Sequence, residues 1–201
     1  REILGHCRKL GLTAVPLVQT LGHLEWLLHQ PAYRHLREFE EYEQQVRACD
    51  PRATEIIGGL IAALIEAHAE SPWIHLGADE AWRLKEVDRP ECSVRREGAC
   101  AVFLRHMRPF IDQVLKAGKR PIIWADMVLR HPERLDDFPR DLIMCDWMYS
   151  QRSDHASSVY GWDFPGLTSA NYAAIADPRK ALFEPYWRID AADFPQRFYQ
   201  F

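Results

Sequence analysis

Asp79 and Glu80 form the one Asp-Glu dipeptide of the chain, inside the stretch Ser71 to Trp82, SPWIHLGADEAW. They follow a short apolar segment and a glycine, the place where a buried strand hands over to a loop. Two carboxylates can share general acid and base work when their surroundings keep one protonated and the other charged. A solvated loop or a helix N-terminus also favours adjacent acids, so the dipeptide alone decides nothing. Strand alternation adds more: Trp73, His75 and Gly77 share one face and Ile74 and Leu76 the other, which turns the apolar pair outward and His75 inward. Trp124 and Asp126 alternate in the same way in RPIIWAD, as do Trp147 and Tyr149 in DLIMCDWMYS. An indole can cover the flat apolar face of a sugar ring while acids bind its hydroxyls. A satisfied core histidine and two core tryptophans are the plainer alternatives. His23, next to Gly22 in QTLGH, completes the set. His23, His75, Asp79 and Asp126 can also be read as ligands of a hydrolytic metal centre, but no His-x-His pair at a strand end supports that, and no metal is expected.

The elements that must position these residues follow from the apolar pattern. Ile3, Leu4, Cys7 and Leu10 recur at helical spacing and Gly11 follows as a C-terminal cap. Leu12 to Val18 (LTAVPLV) reads as a strand buried on both faces, ending in the turn QTLGH. Two helical patterns are expected next, Ala32 to Ala48 and Pro51 to His68, the second with proline near its start. Trp73 to Gly77 is a second buried strand, Gly98 to Ala117 a helix ended by Gly118, Arg120 to Asp126 a third strand, Asp141 to Ser150 a fourth, and Gly166 to Tyr172 a fifth. Strand and helix alternate, which calls for an α/β fold with a parallel sheet: doubly wound, or a (β/α)8 barrel. The chemistry-bearing residues all fall at the C-terminal ends of strand candidates, where a barrel gathers its active site. A doubly wound sheet would concentrate function beside one crevice, often with a glycine-rich phosphate loop, and neither a GxGxxG nor a Walker-type sequence is present. The barrel is favoured. A full barrel takes eight strands and about 250 residues. The expectation is therefore that residues 1–201 form the central part of a catalytic barrel, about strands 3 to 7, truncated at both ends.

Composition narrows the function classes. The chain has 201 residues, 47% hydrophobic and 27% charged, as a globular domain requires. Its net charge of −4 and pI near 6.1 leave no broad basic field for nucleic acid. The longest apolar run, Ile56 to Ile65, is too short to span a bilayer, so no membrane partner is expected. Five scattered cysteines without a CxxC read as reduced thiols, and the expected location is cytoplasmic.

At this point the motifs carry a resemblance. HLGADE (His75 to Glu80) is similar to the His-x-Gly-x-Asp-Glu signature of family 20 glycoside hydrolases, the β-N-acetylhexosaminidases. VPLVQTLGH (Val15 to His23), with LEWLLHQPAYRHLRE after it, resembles the preceding strand and loop in the hexosaminidase D branch of that family. Two departures stand out. Gln19 and Leu21 occupy positions where many members carry Asp and Pro, and Tyr172 is followed by Ala173 and Ala174 in place of a Tyr-x-Asp.

The resemblance implies a (β/α)8 barrel and an exo-acting β-N-acetylhexosaminidase that releases terminal β-linked GlcNAc or GalNAc with retention, without a cofactor. The partner implied is an amino-sugar glycan or glycoconjugate. Catalysis would be assisted by the 2-acetamido group of the substrate, a known exception to the two-carboxylate scheme. Carried over by motif position, Glu80 would protonate the glycosidic oxygen and then activate water. Asp79 would accept the acetamide N–H and orient its carbonyl to attack C1, giving an oxazolinium-type intermediate. His23 would sit behind the acid and tune its proton, and His75 would support the strand end and the substrate. Trp124, Trp147 and Tyr149 would wall the sugar and its acetamido methyl, and Asp126 would bind a hydroxyl or brace the acetamide site. The arginine of the family's first strand and the Trp-x-Glu of its last are expected in flanking sequence. A glycan-binding barrel without catalysis, or a metal-dependent barrel hydrolase, are the alternatives.

Overall fold

The computed structural model describes residues 2–147, 172–178 and 180–181. In chain order the elements are α1 (Glu2–Lys9), α2 (Glu25–Leu28), β1 (Arg37–Phe39), β2 (Tyr42–Val46), α3 (Pro51–Ala67), β3 (Trp73–His75), β4 (Asp88–Arg89), β5 (Cys92–Ser93), α4 (Val94–Glu97), α5 (Ala99–Lys116), β6 (Arg120–Trp124), α6 (Asp126–Leu129) and β7 (Ile143–Cys145).

The main sheet is parallel. β3 pairs with β6, and β6 with β7. On the far side of β3, Leu17 forms a parallel bridge to His75, tied by Val18 N–H to the His75 carbonyl and by His75 N–H to the Pro16 carbonyl, both at 2.9 Å. Spatial order therefore follows chain order without the reversal of a doubly wound sheet, and each crossover carries a helix, as in a barrel wall. Because all four segments run the same way, Gln19 to His23, Gly77 to Glu80, Ala125 to Asp126 and Trp147 leave the sheet at one edge.

The long helices form where local signals agree with packing. Asp50 caps α3 by accepting the Arg52 N–H at 2.9 Å, Pro51 follows at the first turn, and Ala53, Ile57 and Ile61 make one buried stripe. On α5 the stripe is Phe103, Met107, Phe110, Ile111 and Val114, packed with Ile74, Leu76 and Ile123 of the sheet in one core. Lys119, nearly buried, donates its ammonium to the carbonyls of His68, Ala69 and Ser71 and so closes the C-terminal end of α3.

Three expectations fail here. The predicted strand Leu12 to Val18 pairs only at Leu17, and Leu12, Val15 and Leu17 stay exposed, because among the described residues nothing covers its outer edge. The predicted helix Ala32 to Ala48 is a 3-10 turn, Pro31–Leu36, followed by the antiparallel hairpin β1–β2. Glu and Gln favour a helix there, but contacts distant in sequence prevail. Arg37 reaches back to the Leu28 carbonyl and pairs with Glu43, Val46 N–H bonds the Leu21 carbonyl at 3.1 Å, and Arg83 stacks on Phe39 at 3.7 Å. The third strand stops at Trp124, so Asp126 opens a helical turn rather than continuing the alternation. Of the fifth strand candidate, 166–171 lie outside the described residues and Tyr172 begins a 3-10 turn, Tyr172–Ala174.

One buried histidine ties the loop after Val18 to the helical layer. His106 of α5 accepts the Cys49 N–H on Nδ1 at 3.0 Å, and its Nε2 bonds the Thr20 carbonyl at 2.8 Å. Burial pushes its pKa down to about 4, against the Thr20 carbonyl, which favours the charged ring. His75 is likewise pushed down to about 4 by burial, opposed by the charge of Asp79. Both folded values lie below the unfolded value of about 6.5, so as pH falls the unfolded chain takes up the protons first. The stability these rings contribute is complete above about pH 6.5 and drains away toward pH 4. Unfolding free energy measured by denaturant titration should fall through that window by on the order of 1 kcal/mol per pH unit for each ring. His106→Gln keeps a donor and an acceptor but does not titrate, and should remove about half of the slope.

Candidate active site

The edge where β3 ends is built on two close approaches. A Cβ on Gly22 would stand 2.1 Å from the Asp79 carbonyl oxygen, and one on Gly77 1.9 Å from Oε1 of Gln19. Gly77 also has φ +62, so at this turn the absence of a side chain serves both the backbone angle and the contact. Around them three residues with side chains hold left-handed backbone: His23 (φ +56), Ala78 (φ +71) and Glu80 (φ +51). Such angles cost roughly 1 kcal/mol or more each and persist only where neighbours over-determine them. The neighbours are identifiable. Gln19 Oε1 accepts the Ala78 N–H at 3.1 Å, Asp126 Oδ2 accepts the Glu80 N–H at 3.0 Å, His75 Nδ1 accepts the Gly77 N–H at 3.0 Å, and the Thr20 hydroxyl donates to the Leu76 carbonyl at 2.7 Å.

This backbone aims both acids at one imidazole. His23 Nε2 lies 3.0 Å from Glu80 Oε2 and 3.3 Å from Asp79 Oδ2, and the three side chains remain partly open to solvent. Asp79 Oδ1 takes a hydrogen bond from Gln19 Nε2 at 3.0 Å. On its other flank His23 presents Nδ1 to Gln44 Nε2 at 3.4 Å, and the Tyr42 hydroxyl bonds Oε1 of the same amide.

Asp126, 1% exposed, is the third acid. Burial raises its pKa, opposed by the Glu80 N–H and the Trp147 indole, while the charge of Asp79 adds to the rise and Arg130 lowers it. Its second oxygen receives Trp147 Nε1 at 3.5 Å. Trp124 packs on His75 with ring centroids 4.5 Å apart.

Of the residues singled out from sequence, Asp79, Glu80 and His23 converge, and His75, Trp124, Asp126 and Trp147 surround them. Tyr149 lies outside the described residues. Asp126, expected to bind a hydroxyl or brace the acetamide site, accepts the Glu80 N–H on one oxygen and the Trp147 indole on the other. Gln19 and Thr20 were legible as polar residues at the end of a strand candidate, Gln19 also as a departure from the family pattern, and Tyr42 and Gln44 were hidden in a segment read as helix. Among the described residues, no group of three or more His, Cys, Asp or Glu is arranged to hold a metal ion.

Two acids and an imidazole thus gather at the carboxyl edge of a singly wound parallel sheet with α/β crossovers. The family follows from comparison: the model of the glycosyl hydrolase family 20 catalytic domain matches residues 2–177, and the chain belongs to that family. Hexosaminidase D of Homo sapiens is 29% identical over 137 residues, covering 66% of this chain and 28% of that protein. A beta-hexosaminidase of Vibrio furnissii is 23% identical over 164 residues, covering 75% of this chain and 26% of its own length. The chain thus spans less than a third of either relative. Among solved structures, a beta-N-acetylhexosaminidase from Bacteroides fragilis superposes with TM-score 0.57 at 22% identity, over 73% of this chain and 30% of that one. Dispersin B gives 0.56 at 11% identity, over 98% and 48%. At these identities the superpositions speak for the fold.

Gly22→Ala tests the backbone contact, since the Asp79 carbonyl has no flexible end to swing away. The variant should lose about 1–3 kcal/mol of stability in chemical denaturation.

Proposed function

We propose that the protein of which this chain is a part is an exo-β-N-acetylhexosaminidase, acting on terminal β-linked GlcNAc or GalNAc of a glycan or glycoconjugate. The observation that carries the reading is the convergence of Asp79 and Glu80 on His23 Nε2 at the carboxyl edge of the sheet. Membership of family 20 and the names of the relatives supply the substrate class.

Glu80 is the general acid, giving its proton to the glycosidic oxygen and later taking one from water. Asp79 is the charged partner. Gln19 donates to one of its oxygens, so the carboxylate is set as an acceptor, which is what an acetamide N–H requires. Both acids come from one strand end and meet at one nitrogen. With Asp79 holding the acetamide N–H, attack on C1 falls to the carbonyl oxygen of the 2-acetamido group, from the face opposite the bond that Glu80 protonates. Trp124 and Trp147 form the sugar wall, with Tyr149 proposed beside them and His75 backing Trp124. We place the four parallel segments among strands 3 to 7 of the barrel.

The intact protein should hydrolyse aryl β-N-acetylhexosaminides and leave the matching β-glucoside essentially untouched. Equal rates on the two would rule out the acetamide as nucleophile. Glu80→Gln should lower kcat about a hundredfold or more on substrates with poor leaving groups, with a smaller loss on activated aryl glycosides. Asp79→Asn should lower kcat on both kinds of leaving group alike. An undiminished Glu80→Gln rate would remove Glu80 from its role.

A further inference from the structure

We propose that Gln44 and Tyr42, on the hairpin beside the site, are positioning residues that hold His23 as the neutral tautomer with its proton on Nε2, so that it donates to the carboxylates of Glu80 and Asp79. The inference rests on the reading of Glu80 and Asp79 as the working pair and adds a part to it.

The donors and acceptors assign one another. Nε2 of His23 faces Asp79 Oδ2, which as part of the charged partner only accepts, so Nε2 carries a proton, and the facing Glu80 Oε2 accepts it as well when the proton of that carboxyl sits on its other oxygen. A neutral ring then leaves Nδ1 bare and in need of a donor. The Gln44 amide offers its NH2 there, and that orientation turns its oxygen to the Tyr42 hydroxyl, which must donate. Burial, reinforced by the charges of Glu25 and Glu80, raises the Tyr42 pKa, while Arg83 opposes it, and the phenol keeps the proton it donates. The reverse chain needs every partner changed: a doubly protonated His23 would require the amide turned over, with its oxygen toward Nδ1–H, and Tyr42 accepting from the amide where it now donates.

The hairpin is fastened so that this contact is fixed. Leu24 N–H bonds the Gln44 carbonyl at 3.0 Å and Val46 N–H the Leu21 carbonyl at 3.1 Å, clamping β2 to the two sides of His23. Arg83, three residues beyond Glu80, lies over the rings of Phe39 and Tyr42 and pairs with Glu41 at 2.7 Å. An imidazolium at this place would favour the ionised form of Glu80, whose proton would then be lost to solvent. A neutral donor orients the carboxyl without taking its charge state over.

Nitrogen-labelled histidine NMR of the intact protein reads the ring directly, and so decides this inference even where the protein turns over no hexosaminide. Wild type should show His23 protonated at Nε2 and bare at Nδ1. Gln44→Glu places a carboxylate at Nδ1 and should move the His23 titration midpoint up by about one pH unit, with the acid limb of the rate profile moving with it. Gln44→Met should lower kcat about tenfold with KM within about twofold, and Tyr42→Phe should lower it a few-fold. An Nδ1–H tautomer in wild type overturns the proposal. So does a midpoint shared by wild type and Gln44→Glu, or by wild type and Tyr42→Phe if the former does not fold.

Discussion

A methyl group on residue 22 would occupy the space of the Asp79 carbonyl, and one on residue 77 that of the Gln19 side chain. The rest of the site is arranged around this contact between two loops at neighbouring strand ends. Because the loops touch through backbone, Gln19 can reach Ala78 N–H and the Asp79 carboxylate with one short amide, and His23 can reach both acids. The unfavourable angles at His23, Ala78 and Glu80 are sustained by these bonds, and the bonds exist only at that separation.

With His23 in the proposed tautomer, the donors around the acids are neutral. Among the described residues His23 is the ion-pair partner of Asp79 and Glu80, and the Gln19 amide donates to Asp79. A guanidinium in the same place would favour the charged form of both carboxylates. Amide and imidazole hold geometry while leaving room for one acid to be protonated and the other not. Arginine is employed one step away instead: Arg83 pins the hairpin, whose side chains then meet His23.

What could be read from sequence was what neighbours in sequence decide. Asp50 and Pro51 start α3, Gly118 follows α5, and the apolar runs at Trp73, Arg120 and Asp141 hold strands because each is short, apolar and bounded by turn residues. The signature His75 to Glu80 announced its acids. The hairpin was illegible because Arg37 to Val46 is rich in helix formers and becomes strand through Arg83, Leu21 and Leu28, which are remote along the chain. Gln44 and Tyr42 were lost with it. Asp126 was placed on the right edge but not on the right element, since alternation assumes a strand and the chain turns helical after Ala125.

That turn at Asp126 has a further consequence. One buried carboxylate receives the backbone of the proposed acid with one oxygen and the indole of the proposed sugar wall with the other. A change that repositions Trp147 to suit a different ring substituent is transmitted to Glu80 through a bridge two bonds wide. Substrate range and turnover in such a site are not independent traits, and variants selected for a new sugar should need a compensating change at residue 126 before they regain speed.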